Sequence, residues 1–152
     1  MRYGDIAHGS SKALIWSRSD DSYLLVLRST LVSSALQWDM PGGHVEAGET
    51  AAQALRRELK QELDWDLARW PVTRLSSLIT QQPRFETVVY AVCVPHAFEP
   101  RLDWENVDWR WFRLDGLPTE LTTTVNLLLS NDSAAEALKT WQAQWRVAGK
   151  NS

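Results

Sequence analysis

Seven consecutive residues, Val88–Val94 (VVYAVCV), carry no charged side chain and only one strong hydrogen-bonding group, the Tyr90 hydroxyl. The run is rich in valine and far too short to span a bilayer, and with Phe85 at its head it reads as one strand, Phe85–Val94. A strand this uniformly apolar must be covered on both faces. Further strands are predicted at Lys12–Arg18 (KALIWSR) and Tyr23–Arg28 (YLLVLR), which Ser19-Asp20-Asp21-Ser22 separates as a polar turn, forming a hairpin or neighbouring strands. Val72–Thr80 and Trp109–Leu114 complete the set. A helix is predicted to follow Thr50, which with Gln53 has capping-box spacing; Leu55, Leu59 and Leu63 give it one apolar stripe, and Pro71 lies well past its end. A last helix is predicted from a second capping box, Ser133 with Glu136, docking by Leu138, Trp141 and Trp145. The pattern is α/β: a mixed sheet packed against helices.

Size and charge narrow the function classes. The 152 residues suit one domain, 1–152, and no repeat or linker-like stretch divides them. Lys and Arg number 16 against 19 Asp and Glu, a net charge of −3, which is no footprint for duplex nucleic acid or a polybasic membrane anchor. The opening segment MRYGDIAHGSSK lacks an apolar signal core, and the single cysteine, Cys93, lies inside the apolar run. A buried, inert thiol in a reducing, cytoplasmic setting is the expectation.

The informative stretch is Gly42–Trp65, preceded by Trp38-Asp39-Met40-Pro41, where Pro and paired Gly are expected to break regular structure. At 100° per residue, Glu58 and Glu62 lie about 40° apart on the helix, with Gln61 a near neighbour. The Leu59 stripe points elsewhere, so the two carboxylates are expected to leave the core and converge on another face. Carboxylates four residues apart repel, and a divalent cation relieves this: Mg²⁺ takes oxygen ligands from one or two carboxylates and shares its other positions with water and phosphate. The glycines let bare backbone approach a ligand. The competing reading of any single Glu-x-x-x-Glu is a solvated face offset by Arg56, Arg57 and Lys60.

The wider spacing decides between them. Gly43 is followed after five residues by Glu49, and after seven more by Arg57-Glu58-Leu59; Glu62 and Trp65 then fall in register. The segment resembles the Nudix box, G-x5-E-x7-R-E-U-x-E-E-x-G-U, at seven of nine positions. At roughly 7% per residue type, five exact identities have a chance probability of about 10⁻⁶ per start position. Trp38–Gly42 and Trp111-Phe112 also resemble the family's surroundings. Two positions depart: Gln61 stands where the family has the first Glu of its Glu-Glu pair, and Asp64 replaces the Gly that ends the helix. An amide oxygen can still coordinate a metal but brings no charge, so weaker cation binding or one fewer ion is expected. Asp enters the left-handed region more easily than most residues, so the second change should be mild.

The resemblance implies an α/β/α sandwich and a hydrolase that cleaves a phosphoanhydride in a nucleoside diphosphate linked to another group, foremost a nucleoside triphosphate. It implies Mg²⁺, with Mn²⁺ as a substitute, held by Glu58, Gln61 and Glu62 with a carbonyl from Gly43 or its neighbour Gly42. Glu49 and Arg57 become a supporting pair, and Glu46 only surface charge. Glu105, ahead of Trp111-Phe112, falls where many members carry an added ligand or a general base, with Asp103 and Asp108 as competitors; the proton acceptor is Glu58 or Glu105. Arg28, Gly42 and His44 are candidate substrate contacts, while His8 and His96 show no ligand spacing. Trp38, Trp104 and Trp109 are candidates for stacking on a base or for core and rim. Beside this reading stand a nucleotide-binding module weakened by Gln61, and a hydrolase of ADP-ribose, nucleotide sugars or dinucleoside polyphosphates. The implied partner is a small nucleotide, not duplex nucleic acid or membrane; a homodimer is possible because family members often pair.

Overall fold

The computed structural model describes residues 9–81 and 83–150, so His8 and the opening segment lie outside the described residues. Seven strands form one mixed sheet: β1 (Gly9–Ser17), β2 (Ser22–Arg28), β3 (Trp38–Asp39), β4 (Gly42–His44), β5 (Val72–Thr80), β6 (Phe85–Val94) and β7 (Asn106–Phe112). β6 runs parallel to β1 along its whole length, from Gly9 opposite Glu86 to Ser17 opposite Val94. Its other edge pairs antiparallel with β5, so the apolar run is central, as its composition requires. The first hairpin is present, with Trp16 opposite Tyr23 and Ser17 opposite Ser22.

The free edge of β1 is divided. Its first half pairs with β4, Ser10 to Lys12 facing His44 to Gly42, whereas its last two residues pair with β2. β2 then turns away to pair with β3 and β7. Between the two partners the sheet splays, and the cavity described below opens there. The Pro41-Gly42-Gly43 segment was expected to break regular structure, but its glycines belong to β4. Only a residue without Cβ fits there: Gly42 has φ +139°, and a Cβ on it would lie 2.1 Å from the Ser11 carbonyl oxygen.

Alternate residues of the sheet feed two cores. Ala13, Ile15, Leu24, Val26, Val88 and Val92 pack under α1 (Ala51–Leu63) with its Leu55, Leu59 and Leu63. Leu14, Trp16, Tyr23, Val89, Ala91 and Cys93 face α2 (Thr123–Leu129) and α3 (Asp132–Lys150) through Val125, Leu128, Ala134 and Trp141. This is the expected α/β/α sandwich, and Cys93 is buried, which pushes its thiol pKa up.

Helix α1 has the predicted start and stop. Thr50 accepts from the Gln53 N–H at 3.1 Å and Gln53 Oε1 accepts from the Thr50 N–H at 2.9 Å. Asp64 ends the helix left-handed, at φ 52° and ψ 44°. Two expectations need correction, and one helix was not predicted. α3 begins at Asp132 and is capped by Asn131, whose Oδ1 accepts from the Ala134 N–H at 2.9 Å, not by the Ser133–Glu136 box. α2, whose Thr122 cap accepts from Val125, went unforeseen. β7 spans Asn106–Phe112, not Trp109–Leu114, because pairing with β2 sets its ends and alternation along an exposed strand is weak.

Candidate active site

Three carboxylates converge at the mouth of the split. Glu58 and Glu62 project from α1, Glu105 from the loop before β7, and one oxygen from each lies within 4.8 Å of the others. Glu62 differs from expectation: it does not leave the core but is 4% exposed. Helical spacing gives its direction and not what is packed there, which is β4 and the first residue of β7. Its Oε2 accepts from the Gly42 N–H at 3.3 Å, and its Oε1 from Asn106 Nδ2 at 2.8 Å. Burial pushes its pKa up to about 8; Lys12, Asn106 and the Gly42 N–H act against this and Glu58 adds to it.

Glu105 is placed by its loop. Its N–H donates to Asp103 Oδ1 at 3.1 Å and its carbonyl accepts from the Ser29 N–H at 2.8 Å, tying the loop to the end of β2. Burial, then Asp103 and Glu58, raise its pKa, and no protein group among the described residues hydrogen-bonds its carboxylate. The competitors do not join it: Asp103 folds the loop, while the exposed Asp108 accepts from the neighbouring Trp109 N–H.

Glu58 is held from behind. Arg57 Nη1 donates to its Oε1 at 2.8 Å, Nε and Nη2 grip Glu49 at 2.8 and 3.0 Å, and Nη2 also reaches the His44 carbonyl at 3.0 Å. This fork ties the loop after β4 to the helix. It holds the Glu49 carboxyl below the usual carboxylate range, helped by the Glu46 N–H; Glu46 itself is largely exposed. A Cβ on Gly43 would lie 2.5 Å from the Glu58 carboxyl carbon, so a side chain there would displace that carboxylate.

Glu58 and Glu105 border a cavity of about 480 Å³ that Arg28, Gly42, Gly43 and His44 also line. Arg28, Gly42 and His44 therefore share one chamber with two of the carboxylates. Gln61 is exposed on α1. Of the three tryptophans, Trp38 is buried against Phe112 and Trp109 is half-buried, whereas Trp104 is 62% exposed and lines the chamber. Sequence reasoning missed Lys12, Asp39, Asn106 and Thr122. A lone lysine heading an apolar strand was the one visible signal.

The donor set suits a hard divalent cation. Three carboxylates crowd together, one of them strongly desolvated, and a backbone cradle without Cβ faces them. Beside Glu62, the buried Asn106 Oδ1 has no hydrogen-bond partner among the described residues.

Comparison with known proteins agrees with this architecture. The NUDIX domain family matches residues 9–130. A curated nudix hydrolase of Caenorhabditis elegans is 25% identical over 116 residues, 76% of this chain, and the chain spans 31% of that relative's length. Among solved structures, a MutT NUDIX hydrolase from Burkholderia pseudomallei superposes with a TM-score of 0.67 at 28% identity, over 82% of this chain and 98% of that one. The dihydroneopterin triphosphate pyrophosphohydrolase of E. coli shares the fold, with a TM-score of 0.62 at 18% identity over 87% and 92% of the two chains. No helix among the described residues is long and apolar enough to cross a membrane. The matched region takes in the box helix, the split sheet and the carboxylate trio, and the chain belongs to the NUDIX domain family.

Proposed function

We propose that the protein is a metal-dependent hydrolase that cleaves a phosphoanhydride bond of a nucleoside diphosphate linked to another group, with a nucleoside triphosphate as its substrate. The observation that carries this reading is the carboxylate trio at the edge of a polar chamber large enough for a polyphosphate. Glu58 and Glu62 would hold Mg²⁺ or Mn²⁺, with the Gly43 carbonyl beside them. Held there, such an ion would supply charge neutralisation at phosphate oxygens and a more acidic water. Arg57 and Glu49 fix Glu58 and the loop, so the cradle needs no reorganisation when substrate arrives. Glu105 is the proton acceptor: its carboxylate is free of protein hydrogen bonds among the described residues and its pKa is raised, whereas Glu58 is engaged by Arg57. Arg28 and His44 contact the substrate.

The nucleoside triphosphate assignment rests on the chamber's polarity and on relatives that include a triphosphate pyrophosphohydrolase. An adenylyltransferase/ADP-ribose pyrophosphatase from Francisella tularensis, with a TM-score of 0.55 over 36% of that chain, keeps ADP-ribose in the comparison. The test is phosphate and pyrophosphate release from nucleoside triphosphates, nucleotide sugars, ADP-ribose and dinucleoside polyphosphates, with Mg²⁺, Mn²⁺ or chelator. Metal-dependent release that peaks on triphosphates is expected. Binding without release across the panel would overturn the hydrolase reading in favour of a binding module, and recovery of turnover in Gln61→Glu would then name the cause.

A further inference from the structure

Lys12 is a charged residue in the middle of the sheet. Its side chain is 8% exposed, and its Nζ donates to Asp39 Oδ2 at 2.9 Å. The other Asp39 oxygen accepts from Thr122 Oγ1 at 2.9 Å, and Arg28 Nη1 stands 3.8 Å from Oδ2. Two cations thus share one carboxylate, which leaves this wall with one unit of positive charge. Lys12, Arg28, Asp39 and Thr122 line the same chamber as Glu58 and Glu105. The chamber therefore has an acidic wall and a basic wall.

The two cations are not equally committed. Arg28 spends donors on the Ser33 carbonyl at 2.6 Å and the Ser33 hydroxyl at 3.2 Å. An ammonium has three donors, and among the described residues only one of those on Lys12 is engaged. A buried Lys–Asp pair is a poor stabiliser, because desolvation of both charges offsets their attraction and an apolar pair of similar volume serves the fold as well. The arrangement makes better sense as a cation held for use. Its field reaches the acidic wall, where it opposes the upward shifts of Glu62 and Glu105.

We propose that Lys12 is a phosphate-binding residue of the site: anchored by Asp39 and Thr122, it gives its spare N–H donors to a non-bridging oxygen of a polyphosphate whose neighbouring phosphate lies at the carboxylate trio. This rests on the phosphoanhydride reading above. A compact point charge suits a phosphate oxygen, and one net positive charge across the chamber from Glu58 and Glu105 suits a polyanion.

The test uses the full chain with Lys12→Met, which keeps length and packing but removes the charge, and Lys12→Arg, which restores it. Binding of inorganic triphosphate in Mg²⁺ is measured by calorimetry, and kcat and KM on triphosphates of four bases by product release. Lys12→Met is expected to weaken triphosphate binding about tenfold or more and to raise KM equally for every base, with partial recovery in Lys12→Arg. Unchanged binding, within about twofold, in a folded Lys12→Met protein would overturn the proposal and leave the pair a structural one. A loss confined to bases with a ring carbonyl would also overturn it, moving the contact to the base. If the wild type hydrolyses nothing, the functional reading falls, yet loss of triphosphate binding in Lys12→Met would still support the phosphate site. Should Lys12→Met fail to fold, Lys12→Gln decides by the same binding measurement.

Discussion

Helices α1 and α3 cover opposite faces of one sheet and use the same device, large apolar side chains recurring every three or four residues. Leu55, Leu59 and Leu63 do this for α1; Leu138, Trp141 and Trp145 do it for α3. Their inward polar groups are treated in opposite ways. On α3, Gln142 is buried and donates to the Tyr23 hydroxyl, whose pKa burial pushes up to about 12, so the phenol stays neutral and satisfied. On α1, Glu62 is as deeply buried but lies beside two further carboxylates and carries a strongly raised pKa. A buried polar group matched by its neighbours holds a fold together, whereas one left in electrostatic conflict marks a place where something else binds.

That contrast can be broken from the α3 side first. Trp141 is 4% exposed and meets Trp16 edge-on at 5.7 Å, so Trp141→Ala is expected to cost about 3–5 kcal/mol of stability with turnover of the folded fraction unchanged. Denaturant titration and activity well below the melting temperature check this. Wild-type stability with lost activity would instead place α3 in the site.

Glu62→Gln is the mirror experiment. It should lower turnover about a hundredfold, or roughly 2.7 kcal/mol in barrier, while relieving strain in the metal-free fold. The sign follows from the shift. Folding raises the Glu62 pKa from 4.5 to about 8, so the folded state holds the proton more tightly. The resulting stabilisation is complete below pH 4.5 and is lost as pH rises to about 8. Melting temperatures in chelator should therefore fall across that window, with Glu105 contributing in the same direction, and Glu62→Gln should flatten most of the slope. Mg²⁺ should bind more tightly as pH rises through it. A wild-type melting curve that is flat with pH would remove the buried carboxylate from the argument.

Smaller effects sharpen the picture within α1. Glu49→Gln loosens the Arg57 fork without removing a carboxylate from the trio, so turnover should drop about tenfold while stability changes little. Full activity would make that pair a surface salt bridge. Thr50→Ala removes the cap, and should lower stability by about 1 kcal/mol with the metal dependence of turnover unaltered; no shift in the denaturation midpoint would mean that packing alone sets where the helix starts.

Much of this was legible beforehand because it is local. The Thr50 cap, the left-handed stop at Asp64 and the leucine stripe are decided within a few turns of chain, and α1 spans what they bound. Glu105 was a candidate only through the family resemblance, since it sits at the end of a loop that joins β6 to β7. The failures are of another kind. Asn131 won the cap of α3 from Ser133 because the turn after α2 places it there. α2 itself has only seven residues, too few for a periodic signal. Glu62 was expected on an open face because helical geometry predicts a direction, while burial depends on β4 and Asn106 arriving from elsewhere.

By itself, then, the sequence determined the covered central strand, the box helix with its caps, and the carboxylates available to a cation. These follow from hydrophobic period, capping chemistry and fixed spacing along one segment. Tertiary structure alone decided which charges face one another. Lys12 and Asp39 are 27 residues apart, and Asp39 and Thr122 are 83 apart, yet both pairs meet across the split in the sheet. Whether a charge is solvated, paired or held in reserve depends on the dielectric and the neighbours around it, and those are set only when distant segments pack.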